Sequence, residues 1–414
     1  MNSKTIRLTA VSAVCVCAFA ATAEVMDRPQ GIKIGQRMTL RPYVSMSAAY
    51  DSNVGSRTSG AKGDVMWNIN PGFSLDYKQE KWSLLLTGFY AYHAYSESRN
   101  SKYKQHSYGE NLRWNWSDGD EAGKGWSIMI DESYRRVSMA DDFHLSDGRR
   151  YNADRGQFYV NGAVQRRFNE NWHANVLGGY YNLEYDNDTD KGTGLYGWQR
   201  WTAQADVGFA PSRWTDFIAM VGYQGYNQDN AGTTTSGKKI DRRSDGYTAQ
   251  LGIGSFATER ISYRLLAGWS RFDYGNSSAE NGFIYTGSLN WKLSDTLQTM
   301  LVASSYYQPS EYERASKSRI DSLSWGLHKS LVRGKLNATF DLTYRHENIE
   351  RVSGTAGSDY ELDTLSGRLG LDYTLNRFFA IFAYGEYLRS WDDSKGGYYD
   401  YDRWRVTGGV RLTY

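Results

Sequence analysis

Read from its C-terminal stretch, YDRWRVTGGVRLTY, the chain alternates apolar and polar positions with a period of two. Tyr414, Leu412, Val410, Gly408, Val406 and Trp404 share one side, and Thr413, Arg411, Gly409, Thr407, Arg405 and Arg403 share the other. Successive strand side chains point to opposite faces, so the pattern predicts a strand with one apolar face and one basic face. An aromatic at the chain end suits a final strand that closes against the first and rests its last ring at a membrane interface. The expectation is an antiparallel barrel in lipid with a polar inner wall.

The same alternation recurs along the chain. Leu40 to Tyr50 places Leu40, Pro42, Val44, Met46, Ala48 and Tyr50 on one side. Val65 to Tyr77 returns, Gln79 and Glu80 turn tightly, and Trp82 to Tyr95 runs out again. Further tight turns are predicted near Asn169 to Asn171, Pro211 to Arg213, Glu259-Arg260, Ser294 to Thr296, Arg333 to Lys335 and Asn376-Arg377. Long polar connections fall near Met139 to Arg155, Asp186 to Gly197, Asn230 to Asp245, Gln308 to Lys317, Ser353 to Glu361 and Asp392 to Asp400. Short turns on one rim and long loops on the other are the asymmetry of a bacterial outer-membrane barrel, here of roughly 18 strands within a range of about 16–20. One transmembrane β-barrel over residues 39–414 accounts for the pattern, and a pair of β-sandwiches is the competing reading. Two stretches, Leu297 to Tyr307 and Phe378 to Trp391, look similar on both parities.

Composition changes the picture in three places. Mean hydropathy is −0.65, which suggests a soluble protein, but a lipid-facing barrel hides from such averages because only alternate residues are apolar. The 33 Tyr, 14 Trp and 42 Gly against 5 Pro suit a barrel with aromatic girdles at the headgroup level. At the N-terminus, Lys4 and Arg7 precede an apolar run from Leu8 to Ala21, and Ala21-Thr22-Ala23 has the small-x-small form of a cleavage site. The reading is a signal peptide over residues 1–23, a mature start at Glu24, and a periplasmic segment over 24–38. Both cysteines, Cys15 and Cys17, lie in that leader, which removes disulfides and thiol chemistry from the mature chain. The formal charge of +2 falls to near zero once Lys4 and Arg7 leave, and nothing suggests a nucleic-acid partner.

Just after the leader comes RPYVSMSAAYDSNV, Arg41 to Val54, a strand that runs into Asp51-Ser52-Asn53-Val54. This stretch resembles the opening strand of the β-barrel porin 2 family of outer-membrane barrels. The resemblance implies a Gram-negative outer-membrane location and an association with exopolysaccharide production and secretion.

Taking the more apolar parity as lipid-facing assigns the inner wall. Leu365, Gly367, Leu369, Leu371 and Tyr373 face lipid, leaving Ser366, Arg368, Gly370 and Asp372 inside. Leu336, Ala338, Phe340, Leu342 and Tyr344 face lipid, leaving Asn337, Asp341 and Arg345 inside. The same rule puts Arg41, Arg113, Arg135, Arg167, Arg200, Arg264 and Lys292 inside, with Arg403, Arg405 and Arg411. The inward acids it identifies are fewer: Asp76, Asp131, Asp206, Asp341 and Asp372. Such a wall can bind carboxylates or phosphates through guanidinium contacts, or it can be a set of Arg–Asp ladders that stiffen the barrel. Both readings stand at this point. If Arg368, Arg403, Arg405 and Arg411 form one basic strip on the bore, changing all four to Gln should leave folding intact. Most Tyr and Trp fall on the lipid-facing parity or at the girdles, so stacking of sugar rings along the wall is a minor expectation.

Catalysis finds little purchase. The six histidines, His93, His106, His144, His173, His328 and His346, show no metal-ligand spacing, although His328 stands among serines. Asp186 to Gly192 echoes a calcium loop, but its Gly is one place late and no Glu closes it. The expected function is passive solute passage through an outer-membrane channel, extended by the resemblance to export of anionic exopolysaccharide. A barrel hydrolase and a structural or adhesive barrel are the alternatives. No enzymatic activity, metal or cofactor is expected. The expected partners are outer-membrane lipid, lipopolysaccharide, permeant saccharides or small solutes, and the barrel-assembly machinery acting on the strand that ends at Tyr414.

Overall fold

The computed structural model describes residues 31–54, 59–97, 106–119, 124–137, 155–185, 197–212, 214–228, 243–255, 260–274, 279–309, 316–332, 334–351, 359–393 and 400–414. The predicted leader, its Glu24 boundary, most of the long connections, His144 and the Asp186 to Gly192 loop lie outside the described residues.

A short strand, β1 (Ile32–Ile34), precedes β2 (Met38–Asp51), β3 (Asp64–Lys78), β4 (Trp82–Tyr95), β5 (His106–Ser117) and β6 (Gly125–Val137). Next come β7 (Arg155–Arg167), β8 (Trp172–Tyr185), β9 (Trp198–Ser212), β10 (Thr215–Gln228), β11 (Arg243–Gly254) and β12 (Ile261–Tyr274). The chain ends with β13 (Glu280–Ser294), β14 (Leu297–Pro309), β15 (Ser316–Val332), β16 (Leu336–Arg351), β17 (Tyr360–Thr374), β18 (Phe379–Asp392) and β19 (Tyr401–Thr413). Each strand from β2 onward pairs antiparallel with the next, and β19 pairs with β2, so eighteen strands close on themselves. Closure leaves neither the first nor the last long strand as a free edge, which lipid would otherwise penalise because it cannot satisfy backbone N–H and C=O groups. At the seam Leu412 lies opposite Val44 and Arg405 opposite Asp51. Below the end of β19, β1 pairs with Met38 to Leu40 and continues the seam.

The outward parity is apolar through the height of the wall. Met46, Val207, Val221, Leu251, Leu265, Leu369, Val406 and Val410 are all exposed large apolar side chains. In water such a surface would aggregate, whereas against acyl chains it is the stable arrangement. Rings gather at the two rims. Tyr77 stacks on Trp82 at 4.7 Å and Phe378 on Tyr414 at 5.8 Å at the short-turn rim, while Tyr50 meets Trp404 at 5.1 Å and Tyr223 meets Tyr247 at 5.3 Å toward the long-loop rim. The apolar band is interrupted on β5 and β6, where Glu110 and Glu132 take outward positions beside Tyr134 and Leu112.

The tight turns use the chemistry their residues predict. Asn169 Oδ1 accepts from the backbone N–H groups of Asn171 and Trp172, both at 2.9 Å. Asn376 Oδ1 does the same for Phe378 and Phe379, at 2.9 and 3.0 Å. In each case the side chain satisfies donors that the reversing backbone would leave unpaired. At the β15–β16 turn Gly334 adopts φ of 73°, a left-handed conformation open to glycine at little steric cost.

Candidate functional site: the bore

The wall facing the bore is the candidate site. Arg41, Arg113, Arg135, Arg167, Arg200, Arg264, Arg345, Arg368, Arg403, Arg405 and Arg411 all lie on the inward parity of their strands. Among the described residues, eight of them meet a carboxylate in the pairs that follow. Arg41 pairs with Asp76, and Arg113 reaches Asp131 at 3.2 Å. Arg264 reaches Asp206 at 3.1 Å, Arg345 reaches Glu347 at 2.7 Å and Arg411 reaches Asp372 at 2.5 Å. Arg368 lies 3.9 Å from Glu386 and 4.3 Å over the Tyr384 ring. Arg403 and Arg405 share Asp51.

These pairings correct the sequence-based balance of the wall. Asp51, Asp64, Asp216, Glu347 and Glu386 also take inward positions, so acids are far less outnumbered than the sequence suggested. Parity alone places Asp51 inside, but its partners lie some 350 positions later and meet it only through closure.

The seam shows what the Asp51-Ser52-Asn53 stretch does. Asp51 is fully buried. Arg403 Nε donates to both of its oxygens at 3.0 Å, and Arg403 Nη2 binds Oδ2 as well. Arg405 Nη2 donates to Asp51 Oδ2 at 2.9 Å, and the Asn53 N–H donates to Oδ1 at 3.1 Å. Ser52 exchanges two hydrogen bonds with the Trp404 backbone, at 2.9 and 2.8 Å, and Asn53 Nδ2 donates to the Asp402 carbonyl at 3.0 Å. The last residue of β2 and the two that follow it therefore stitch the first long strand to the last. For Arg403 and Arg405 the structure gives the opposite expectation to neutralisation without effect on folding. They are 4% and 5% exposed and counter a buried charge.

At the long-loop end the wall overlaps itself. The β13–β14 ladder runs from Ser294 and Leu297 up to Thr286 and Ser304 and goes no higher among the described residues. The β14–β15 ladder continues to Pro309 and Lys317, and β15 stays paired with β16. The upper part of β14 has thus left β13 and tucked inside it. Outward-parity side chains there pack on inward faces of neighbouring strands: Tyr307 of β14 stacks on Phe272 at 6.2 Å, and Lys317 of β15 pairs with Glu280. From the opposite direction Gln224 of β10 donates to the Tyr307 carbonyl at 3.1 Å, four strands away around the ring. Tyr285 bridges the resulting gap to Asp321 at 3.1 Å. This tuck accounts for the unclear parity of Leu297 to Tyr307: at its upper end the outward-parity side chains Ser305 and Tyr307 are buried rather than lipid-facing.

The tuck also completes an aromatic belt that the sequence reading underrated. Tyr181, Trp198, Tyr226, Phe272 and Tyr307 follow one another along the inner wall with centroid separations of 4.8, 5.6, 6.0 and 6.2 Å. With Leu183, Tyr274 and Ile284 they form the largest buried apolar cluster. Phe378 to Trp391 was ambiguous for a related reason, since Phe382 and Tyr384 of β18 stack at 5.9 Å on the bore side.

Under the belt lies a cavity of about 100 Å³, whose lining includes Asn161, Thr202, Gln204, Gln224, Gln250 and Arg200. Its wall contains no carboxylate. Toward the short-turn end, His173 Nε2 meets Asp216 Oδ2 at 2.9 Å across Gly208, where a Cβ would lie 2.1 Å from the imidazole. Only glycine leaves room for that pair. His328 is opposite Gln298, and His346 sits outside against Asp363 at 3.0 Å.

Comparison with known proteins gives one family. The family model described as "Putative beta-barrel porin 2" matches residues 28–414. No curated protein matches the chain. Among solved structures, the chain is similar to the FrpB iron transporter of Neisseria meningitidis (F3-3 variant), with 11% identity, TM-score 0.45, and coverage of 90% of this chain and 64% of that one. It is also similar to the outer membrane protein opdK of Pseudomonas aeruginosa, with 13% identity, TM-score 0.42, and coverage of 91% and 99%. The chain spans slightly less than two thirds of two FrpB structures, the F3-3 and F5-1 variants, and 83% of a third, the F5-1 variant in its apoprotein form.

Proposed function

The chain belongs to the β-barrel porin 2 family, and on that premise we propose that it is a passive outer-membrane channel for polar solutes. The observation that carries this reading is the closed ring of eighteen strands with an apolar exterior and an interior of Arg, Asp, Asn, Gln, Ser and Thr. Such a wall offers solutes a hydrophilic path through lipid, and its long-loop end is narrowed by the β14–β15 tuck. We extend the proposal to saccharide chains that carry carboxylates. Hydroxyl and amide side chains can exchange hydrogen bonds with sugar hydroxyls, and the guanidinium groups of the wall place positive charge along the path of an anion. No catalytic step forms part of the proposal.

Proteoliposome swelling tests it. Vesicles carrying the refolded protein should swell in isotonic glucose and in glucuronate, while protein-free vesicles should not. Failure to swell in either solute would reject a diffusive channel for small sugars.

A further inference from the structure

Arg200 differs from most of the inner guanidinium groups. It is 8% exposed, and no carboxylate among the described residues pairs with it. Its guanidinium carbon lies 5.6 Å from the centroids of both Tyr181 and Trp198, and it donates to the Tyr226 hydroxyl. Its Nε has no hydrogen-bond partner although it is buried. A buried cation without an anion is expensive, and a buried N–H without an acceptor adds to that cost. Arg200 lines the cavity described above, together with Asn161, Thr202, Gln204 and Gln224. Two other lining residues, Gln250 and Ser305, also keep a buried polar atom unsatisfied, the amide Nε2 and the hydroxyl. They are 4% and 2% exposed.

We propose that this cavity is a binding site for one carboxylate-bearing, polyhydroxylated ring, with Arg200 receiving the carboxylate. The surrounding amides and hydroxyls meet ring hydroxyls, which both donate and accept. The cavity has the scale of one small ring or several waters, since a water requires about 10–15 Å³ of such space. A single cation in a wall without acids favours a monoanion over a neutral ring and over a dication. Tyr226, which contacts Arg200, donates to Gln224 Oε1 at 3.2 Å, and Gln224 holds the Tyr307 carbonyl of the tuck. The site thus lies directly beside the tucked end of β14. This inference rests on the conduit reading, because solute reaches Arg200 through the bore.

The test is block of single-channel current in planar bilayers by a glucuronate trisaccharide and by maltotriose. The uronate should block at a concentration about tenfold lower than maltotriose, the size of one charge-assisted contact. Arg200→Gln should abolish that difference while leaving the maltotriose response in place. If Arg200→Gln does not fold, Thr202→Asp serves instead. It places a carboxylate two positions along the same face and should exclude the uronate by satisfying Arg200 internally. Equal block by both sugars in the wild type, or an undiminished preference in a folded variant, overturns the site while the conduit stands. An absence of any current overturns both.

Discussion

Replacing Arg403 and Arg405 together by Gln should unfold or strongly destabilise the barrel. Asp51 is fully buried at the seam and its charge is met by these two guanidinium groups. Removing them strands a fully buried carboxylate without its counter-charges, a change that typically costs about 3–5 kcal/mol. The loss should appear as a lower urea midpoint for unfolding from detergent and as loss of heat-modifiable migration. Asp51→Asn added to the same variant should recover much of the stability, since three neutral amides can hydrogen-bond without a desolvated charge. An unchanged midpoint in the double variant would show that the seam clasp does not hold the barrel closed.

A second large effect is expected at the tuck. Because Thr286 pairs with Ser304, an uninterrupted ladder would set Tyr285 against Ser305 and Phe283 against Tyr307. Tyr285→Cys with Ser305→Cys should therefore form a disulfide only when the upper part of β14 is drawn out of the bore and zipped onto β13. Directly opposed strand residues have Cβ atoms about 4.5–5.5 Å apart, within reach of a small bridge after modest adjustment. No cysteine follows Cys17 in the sequence, so the described barrel has no competing thiol. Oxidation should raise single-channel conductance several-fold and reduction should restore the wild-type value. Equal conductance in the two redox states, with the disulfide verified by mass, would mean that the tuck does not narrow the path.

Much of this architecture was legible in the alternation because lipid imposes it on every strand. Trp82 to Tyr95 is read with the limits it has in the structure, and Leu40 to Tyr50 falls short of β2 by two residues at one end and one at the other. The parity rule placed the named arginines on the strand face opposite the exposed apolar rows. What it could not supply was partnership. Asp51 and Arg403 are 352 positions apart, and side assignment says nothing about which inward charges meet. Glu347 escaped notice because it lies two residues past Arg345, the last position assigned on β16, and Glu386 because Phe378 to Trp391 has no clear parity. The tuck was illegible for a different reason. Tyr307 has outward parity, as a girdle tyrosine would, yet packs inward because β14 leaves its neighbour, and no local pattern marks the departure point. The aromatic belt was hidden by the same ambiguity, since Tyr and Trp fit a lipid interface and a packed bore equally well.

Single-channel recording of the purified wild-type protein in planar bilayers tests the central claim most directly. The structure predicts discrete, ohmic current steps of small conductance that grow when the Tyr285–Ser305 disulfide is formed. A folded, heat-modifiable barrel that inserts into the bilayer and passes no current, in either redox state of that variant, would contradict the reading of the molecule as a channel.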